Sequence, residues 1–207
     1  MTNIIDHTLL KATTTVEDIV RHCKEAMEMG AFSVCVMPSM VKVATDVLSE
    51  SDVKVCTVVG FPLGATPASV KAYEARQAVV DGADEIDMVI NIGFAKSGLY
   101  EEVRDEINQI KFAIGKTLLK VIVETSEFNS DQKDVLYEIV AESGAEYIKT
   151  STGTTSKGAT VEDVERMVEI GRGRYMVKAS GGVSNLETLQ SIVQAGADRI
   201  GTSNGLR

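Results

Sequence analysis

The feature that most constrains this chain is a four-fold repeat of a glycine–alanine step leading into a β-rich run. Gly30-Ala31-Phe32-Ser33-Val34, Gly82-Ala83-Asp84-Glu85-Ile86, Gly144-Ala145-Glu146-Tyr147-Ile148 and Gly196-Ala197-Asp198-Arg199-Ile200 each read as a helix end followed at once by a strand. Glycine readily adopts the left-handed conformation that closes a helix, and αβ loops are short. The repeats are spaced by 52, 62 and 52 residues. One unit needs a strand of about 5 residues, a helix of about 11 and two short loops, so each interval holds two units.

The intervening strands fall where that spacing requires them, at residues 54–61, 118–125 and 175–180, with a first strand at 4–8. Helical patterns occupy 16–29, 67–81, 100–115, 131–143, 161–171 and 186–195. Strict alternation makes the strands parallel, and eight of them fit a closed (β/α)8 TIM barrel in which residues 1–207 form a single domain. An open doubly wound sheet is the architectural alternative. The sequence stops at Arg207, soon after the eighth strand, so the expectation is a shortened chain or a barrel without a complete final helix.

Composition narrows the partners. Hydrophobic residues make up 44% of the chain, yet none of them form a run of about 18 apolar positions, so a core is expected and a membrane span is not. The start, Met-Thr-Asn-Ile-Ile-Asp, lacks a basic segment followed by an apolar one, which makes the cytoplasm the expected location. Cys23, Cys35 and Cys56 are too few and too unpatterned for a disulfide framework and are expected to be reduced and buried. A net charge of -9 repels a phosphate backbone, so no nucleic acid partner is expected.

Side chains alternate across a strand, so parity sorts them by face. One parity gives Ile86, Met88 and Ile90, then Leu119, Val121 and Val123, then Val177 and Ala179, which suits the layer beneath the helices. The other gives Asp6, Cys35, Asp87, Asn91, Lys120, Glu124, Lys149, Ser151, Lys178 and Ser180, which would point into the barrel. Burying charges costs several kcal/mol each unless they are paired. The bland reading is an ion-pair network in which Asp6, Asp87 and Glu124 neutralise Lys120, Lys149 and Lys178. Clustering at the carboxyl ends of strands favours a catalytic one, because that end carries the active site of such barrels.

A free lysine amine, with a pKa of about 10.4, is protonated near neutral pH and cannot attack a carbonyl. Desolvation and a neighbouring ammonium both favour the neutral form. Lys149 and Lys178, on adjacent strands, are expected to lie side by side, so that one can serve as nucleophile while Asp87 or the other lysine moves protons.

Six segments carry a resemblance: Ile5-Asp6-His7-Thr8-Leu9-Leu10, Thr57-Val58-Val59-Gly60-Phe61-Pro62-Leu63-Gly64, Gly82 through Val89, Lys120-Val121-Ile122-Val123-Glu124-Thr125, Tyr147-Ile148-Lys149-Thr150-Ser151-Thr152-Gly153 and Val177-Lys178-Ala179-Ser180-Gly181-Gly182-Val183. In this order they resemble the deoxyribose-phosphate aldolase family, a class I aldolase family on a TIM barrel. The resemblance implies that Lys149 forms a Schiff base, that Lys178 is the neighbouring lysine that lowers its pKa and relays protons, and that Asp87 donates and accepts protons. It also implies the reaction: reversible cleavage of 2-deoxy-D-ribose 5-phosphate to acetaldehyde and D-glyceraldehyde 3-phosphate in deoxyribonucleoside catabolism, with no cofactor. Asp6 and Cys35 correspond to residues of the family's active-site region, and Lys120 and Glu124 to a supporting network.

A phosphate site is expected where the loops after strands six, seven and eight converge, because backbone amides and helix N-termini bind anions there. Thr152, Gly153, Gly181, Gly182, Gly201, Thr202 and Ser203 are the substrate-binding candidates. Family members can carry a basic residue after each of the two glycine motifs, where this chain has Thr154 and Ser184; Lys157 is the candidate to compensate. His7 and His22 have no zinc-like spacing, so no metal is implied; His22 is expected at the surface and His7 as a packed neighbour. Two rivals remain open, a non-covalent sugar-phosphate isomerase and an inactive sugar-phosphate-binding barrel. Homo-oligomerisation is left open as well.

Overall fold

The computed structural model describes residues 2–155, 157–183 and 185–203. Eight strands, β1 (Ile5–Leu9), β2 (Ser33–Val36), β3 (Lys54–Val59), β4 (Glu85–Val89), β5 (Leu118–Ile122), β6 (Tyr147–Lys149), β7 (Met176–Ser180) and β8 (Arg199–Thr202), close into a barrel in sequence order. Every pairing is parallel, and the ring shuts where Asp6 of β1 pairs with Gly201 of β8. Closure excludes the open sheet. The expectation about a final helix falls on residues beyond Ser203, outside the described ones.

The helices are α1 (Val16–Met29), α2 (Val41–Leu48), α3 (Ala68–Val80), α4 (Ile92–Lys96), α5 (Tyr100–Ile114), α6 (Ser130–Glu142), α7 (Val161–Gly171) and α8 (Leu186–Gln194). α2 and α4 escaped the sequence reading because eight and five residues are too short to establish a helical period. α4 also corrects one expectation. Asn91 does not point into the barrel; it lies beyond the end of β4, and its side chain accepts the Phe94 N–H as an N-cap.

The glycine repeat has a double function. Gly30, Gly82, Gly144 and Gly196 all have positive φ, at 65°, 105°, 73° and 107°, and end a helix as expected. The acidic residue two places later then locks the sheet. Asp84, Glu146 and Asp198 accept the backbone N–H of Val55, Leu119 and Val177 at 2.8 to 2.9 Å, each at or near the entrance of the preceding strand. In the first repeat this place is held by Phe32, whose ring lies 3.6 Å from the Arg199 guanidinium carbon.

Outside the strands the packing is apolar. Ile86, Met88, Ile90, Leu119, Val121, Val123, Val177 and Ala179 are all buried against the helices, as parity requires. One ion pair interrupts this layer: Lys71 of α3 and Glu106 of α5, both buried, bond to each other, and Lys71 also donates to the Val89 carbonyl at 2.8 Å. Another correction lies at β1. His22 is not a surface residue; it is buried against His7, with ring centroids 3.8 Å apart, and its Nε2 lies 2.9 Å from the His7 carbonyl. The hydrogen bond and the ring stacking turn this position of α1 inward.

Candidate active site

The barrel interior is divided in two. On the β1–β3 side Cys35, Cys56 and Val58 form a small apolar cluster with Leu10, Met37 and Phe61. The rest of the interior, from β4 to β8 with Asp6 of β1, is a charged network ringed by the apolar layer. Its hub is Asp87. The Oδ2 of Asp87 accepts from Lys149 at 2.9 Å and from Lys178 at 2.7 Å, while Oδ1 accepts from Lys120 at 2.8 Å. The lysines reach one carboxylate because the register pairs Asp87 with Lys120 and Lys149 with Lys178.

A second tier supports the first. Lys178 Nζ lies 2.5 Å from Asp6 Oδ2, Lys120 donates to Glu85 at 2.5 Å, and Arg199 joins Asp6 to Glu85. Three carboxylates therefore face four cationic side chains. Burial of charge is opposed here by the attraction of close opposite charges. Burial opposes ionisation of Asp87, but Lys120, Lys149 and Lys178 hold it well below the usual carboxylate range. Asp6 is likewise held low, by Lys178, Lys120 and Arg199. Burial works against the Lys178 ammonium too, but Asp6 and Asp87 raise its pKa above the ordinary lysine value. The same contest raises Lys120, through Asp87, Cys56 and Glu85.

Above the network opens a cavity of about 370 Å³. Its lining includes Lys149 together with Thr152, Gly153, Gly181, Gly182, Gly201, Thr202 and Ser203, which are the expected substrate-binding positions after β6, β7 and β8. Gly153, Gly181 and Gly182 have φ between 75° and 81°, a conformation side chains resist, which favours glycine at these three places. The two loops are pinned together: Ala159 N–H donates to the Ser180 and Gly181 carbonyls, and a Cβ on Gly158 would lie 2.1 Å from Gly181 backbone. Leu10, Phe61 and Val183 form an apolar wall of the same cavity.

Of the predicted residues, Lys149, Lys178, Asp87 and Lys120 meet directly. Asp6 and Cys35 are fully buried beneath the cavity and do not line it. Glu124 departs from its expected place in the lysine network. Its backbone is left-handed, with φ 50°, and its carboxylate accepts from Thr152 Oγ1 at 2.5 Å and Thr155 Oγ1 at 3.2 Å, bracing the loop after β6. Lys157 is exposed and outside the lining, and Ser184 lies outside the described residues. Glu85 and Arg199 were missed, although both share the inward parity, Glu85 two places before Asp87 and Arg199 paired with Lys178.

Two groups of metal-ligating side chains occur among the described residues. His7 and His22 stack at 17°, so their in-plane lone pairs cannot converge on one ion. Cys35, Cys56 and Asp87 sit against the Lys120 ammonium, which bonds both Cys56 and Asp87 and would repel a cation. Neither arrangement suits a metal.

Comparison with known proteins agrees with the geometry. Residues 1–207 match the DeoC/LacD family aldolase. The chain is 49% identical over 204 residues to the deoxyribose-phosphate aldolase of Coprothermobacter proteolyticus, an alignment covering 99% of this chain and 93% of that one. It is 50% identical over 206 residues to that of Brevibacillus brevis, covering 100% and 93%. Among solved structures, "QR15, an Aldolase" superposes with a TM-score of 0.95 at 43% identity, covering 99% of this chain and 91% of that one. The tetrameric deoxyribose phosphate aldolase of Aeropyrum pernix superposes at 0.88 with 32% identity, covering 99% and 87%. No described helix is long and apolar enough to cross a membrane. The chain is a member of the DeoC/LacD family of aldolases.

Proposed function

We propose that this aldolase reversibly cleaves 2-deoxy-D-ribose 5-phosphate to acetaldehyde and D-glyceraldehyde 3-phosphate through a Schiff base on Lys149, in deoxyribonucleoside catabolism. One observation carries the reading: of the three lysines gathered on Asp87, only Lys149 lines the cavity, and Lys120 and Lys178 are sealed beneath it. A substrate carbonyl in the cavity can meet that amine and no other of the three.

The network supplies the proton chemistry. The amine adds to the sugar aldehyde, and loss of water from the carbinolamine gives an iminium. Removing the proton of the substrate's C3 hydroxyl then breaks the C2–C3 bond, its electron pair moving into the iminium to give an enamine and freeing D-glyceraldehyde 3-phosphate. Protonation of the enamine carbon and hydrolysis release acetaldehyde and the amine. Asp87, 2.9 Å from Lys149, is the group placed to take and return these protons, with Lys178 on the same oxygen as the cation that stabilises the carboxylate between steps. The apolar wall of Leu10 and Phe61 suits the two-carbon fragment, and the glycine loops suit the phosphate.

The isomerase alternative asks Lys149 and Lys178 to bind phosphate, which the burial of Lys178 and its bonds to Asp6 and Asp87 oppose. The test is a cleavage assay on deoxyribose 5-phosphate with Lys149→Ala and Lys178→Ala. Turnover should vanish in the first and fall by orders of magnitude in the second; unchanged turnover in Lys149→Ala removes the assignment. Assembly as a homo-oligomer belongs to the same proposal, since the Aeropyrum pernix relative is tetrameric, and light scattering on the purified protein tests it.

A further inference from the structure

The phosphate end of the cavity has amides and hydroxyls in abundance but little charge. Its lining contains two cationic side chains, Lys149 and Lys11, and the first is committed to Asp87. Thr154 stands on the rim with its hydroxyl bonded to that of Thr152 at 2.8 Å, and brings no charge. Lys157 is exposed and outside the lining, as described above. Lys11 is different. It follows the end of β1, it is exposed at the cavity mouth, and among the described residues no carboxylate is paired with its ammonium. The turn that carries it is fixed, because the Thr14 N–H donates to the Lys11 carbonyl at 3.1 Å.

The geometry points to Lys11 as the residue that gives this aldolase its preference for a phosphorylated substrate, an inference that rests on the function proposed above. A phosphate carries close to two negative charges at neutral pH and approaches a chain whose net charge is -9. Neutral amides can orient it but do not offset that repulsion. A flexible lysine at the mouth, beyond the end of the strand that pairs with β8, attracts the dianion as a point charge and need not be rigidly held. Lys11 thus takes the place that Thr154 and Lys157 leave empty, from the end of β1, the strand that pairs with β8.

The experiment measures kcat/KM for 2-deoxy-D-ribose 5-phosphate and for 2-deoxy-D-ribose, at low and high salt, in the wild type, Lys11→Gln, Lys11→Arg and Lys157→Gln. The preference for the phosphorylated sugar should fall on the order of tenfold in Lys11→Gln, through KM, and be largely kept in Lys11→Arg. It should weaken with salt in the wild type more than in Lys11→Gln. Lys157→Gln should leave the preference where it was. An unchanged preference in Lys11→Gln, a parallel loss on both sugars, or a wild type without any preference overturns the role of Lys11. Failure of the wild type to cleave either sugar overturns instead the function on which the role rests.

Discussion

Lys149 and Lys178 share a single oxygen atom: both ammonium groups donate to Oδ2 of Asp87, at 2.9 and 2.7 Å, from adjacent strands that pair the two residues directly. The two lysines are therefore equal in position along the barrel and unequal in access. Lys178 is held by a second carboxylate, Asp6, and is sealed; among the described residues Lys149 pairs with Asp87 alone, and it faces the cavity.

Asp87→Asn removes the charge on which three ammonium groups converge. Leaving buried charges uncompensated costs about 3–5 kcal/mol, and losing the proton-transfer group costs roughly 10²–10⁴ in turnover. Urea unfolding and a cleavage assay on the same preparation should show both losses. A variant that keeps its stability and its activity contradicts the hub assignment.

The Lys71–Glu106 pair makes a contrasting prediction. Burial, the largest influence on each, pushes Glu106 up and Lys71 down, so desolvation outweighs their attraction. Glu106→Ala should destabilise by about 3–5 kcal/mol, because it strands a buried ammonium. Replacing both together, Lys71→Met with Glu106→Leu, should recover most of that loss. The denaturant midpoints of the single and double variants decide it.

Stability should also fall in mild acid. Burial pushes His22 down to about 4 and also lowers His7, so both are neutral in the folded chain while the unfolded chain binds protons below the ordinary histidine value of 6.5. A depressed folded pKa gives stability that is present above about 6.5 and is lost as pH falls from there toward 4. The loss should reach about 1–3 kcal/mol and be smaller in His22→Gln, as read from urea midpoints at pH 7 and pH 4.5.

Gly158→Ala tests the contact between the loops after β6 and β7, where phosphate binding is proposed. The new Cβ would lie 2.1 Å from the Gly181 carbonyl, so one backbone must move. KM for the phosphorylated sugar should rise roughly 10–100-fold while the circular dichroism spectrum stays that of the parent. An unchanged KM means the loops are not coupled.

Much of this was legible before any coordinates. The helix-ending glycines announce the repeating unit, and strand parity separates Ile86 and Met88 from Asp87, because both depend only on local geometry. What parity cannot give is the partner of a long side chain. Glu124 shares the residue spacing of the interior set but turns left-handed at the end of β5 and bonds a loop. Asn91 lies just past a strand, where alternation no longer applies, and caps a helix too short to notice. Lys11 falls in a loop between periodic elements, and its relation to the cavity depends on barrel closure, which brings the end of β1 beside β8. The acidic positions of the repeat were visible as Asp84, Glu146 and Asp198, but their acceptors' partners sit on strands 21 to 29 residues away.

The most direct measurement is covalent. Incubating the protein with acetaldehyde, reducing with borohydride and mapping the product by peptide mass analysis should place an ethyl group on Lys149 and leave Lys120 and Lys178 unmodified. An adduct on Lys178 in place of Lys149, or no adduct at all, contradicts the account.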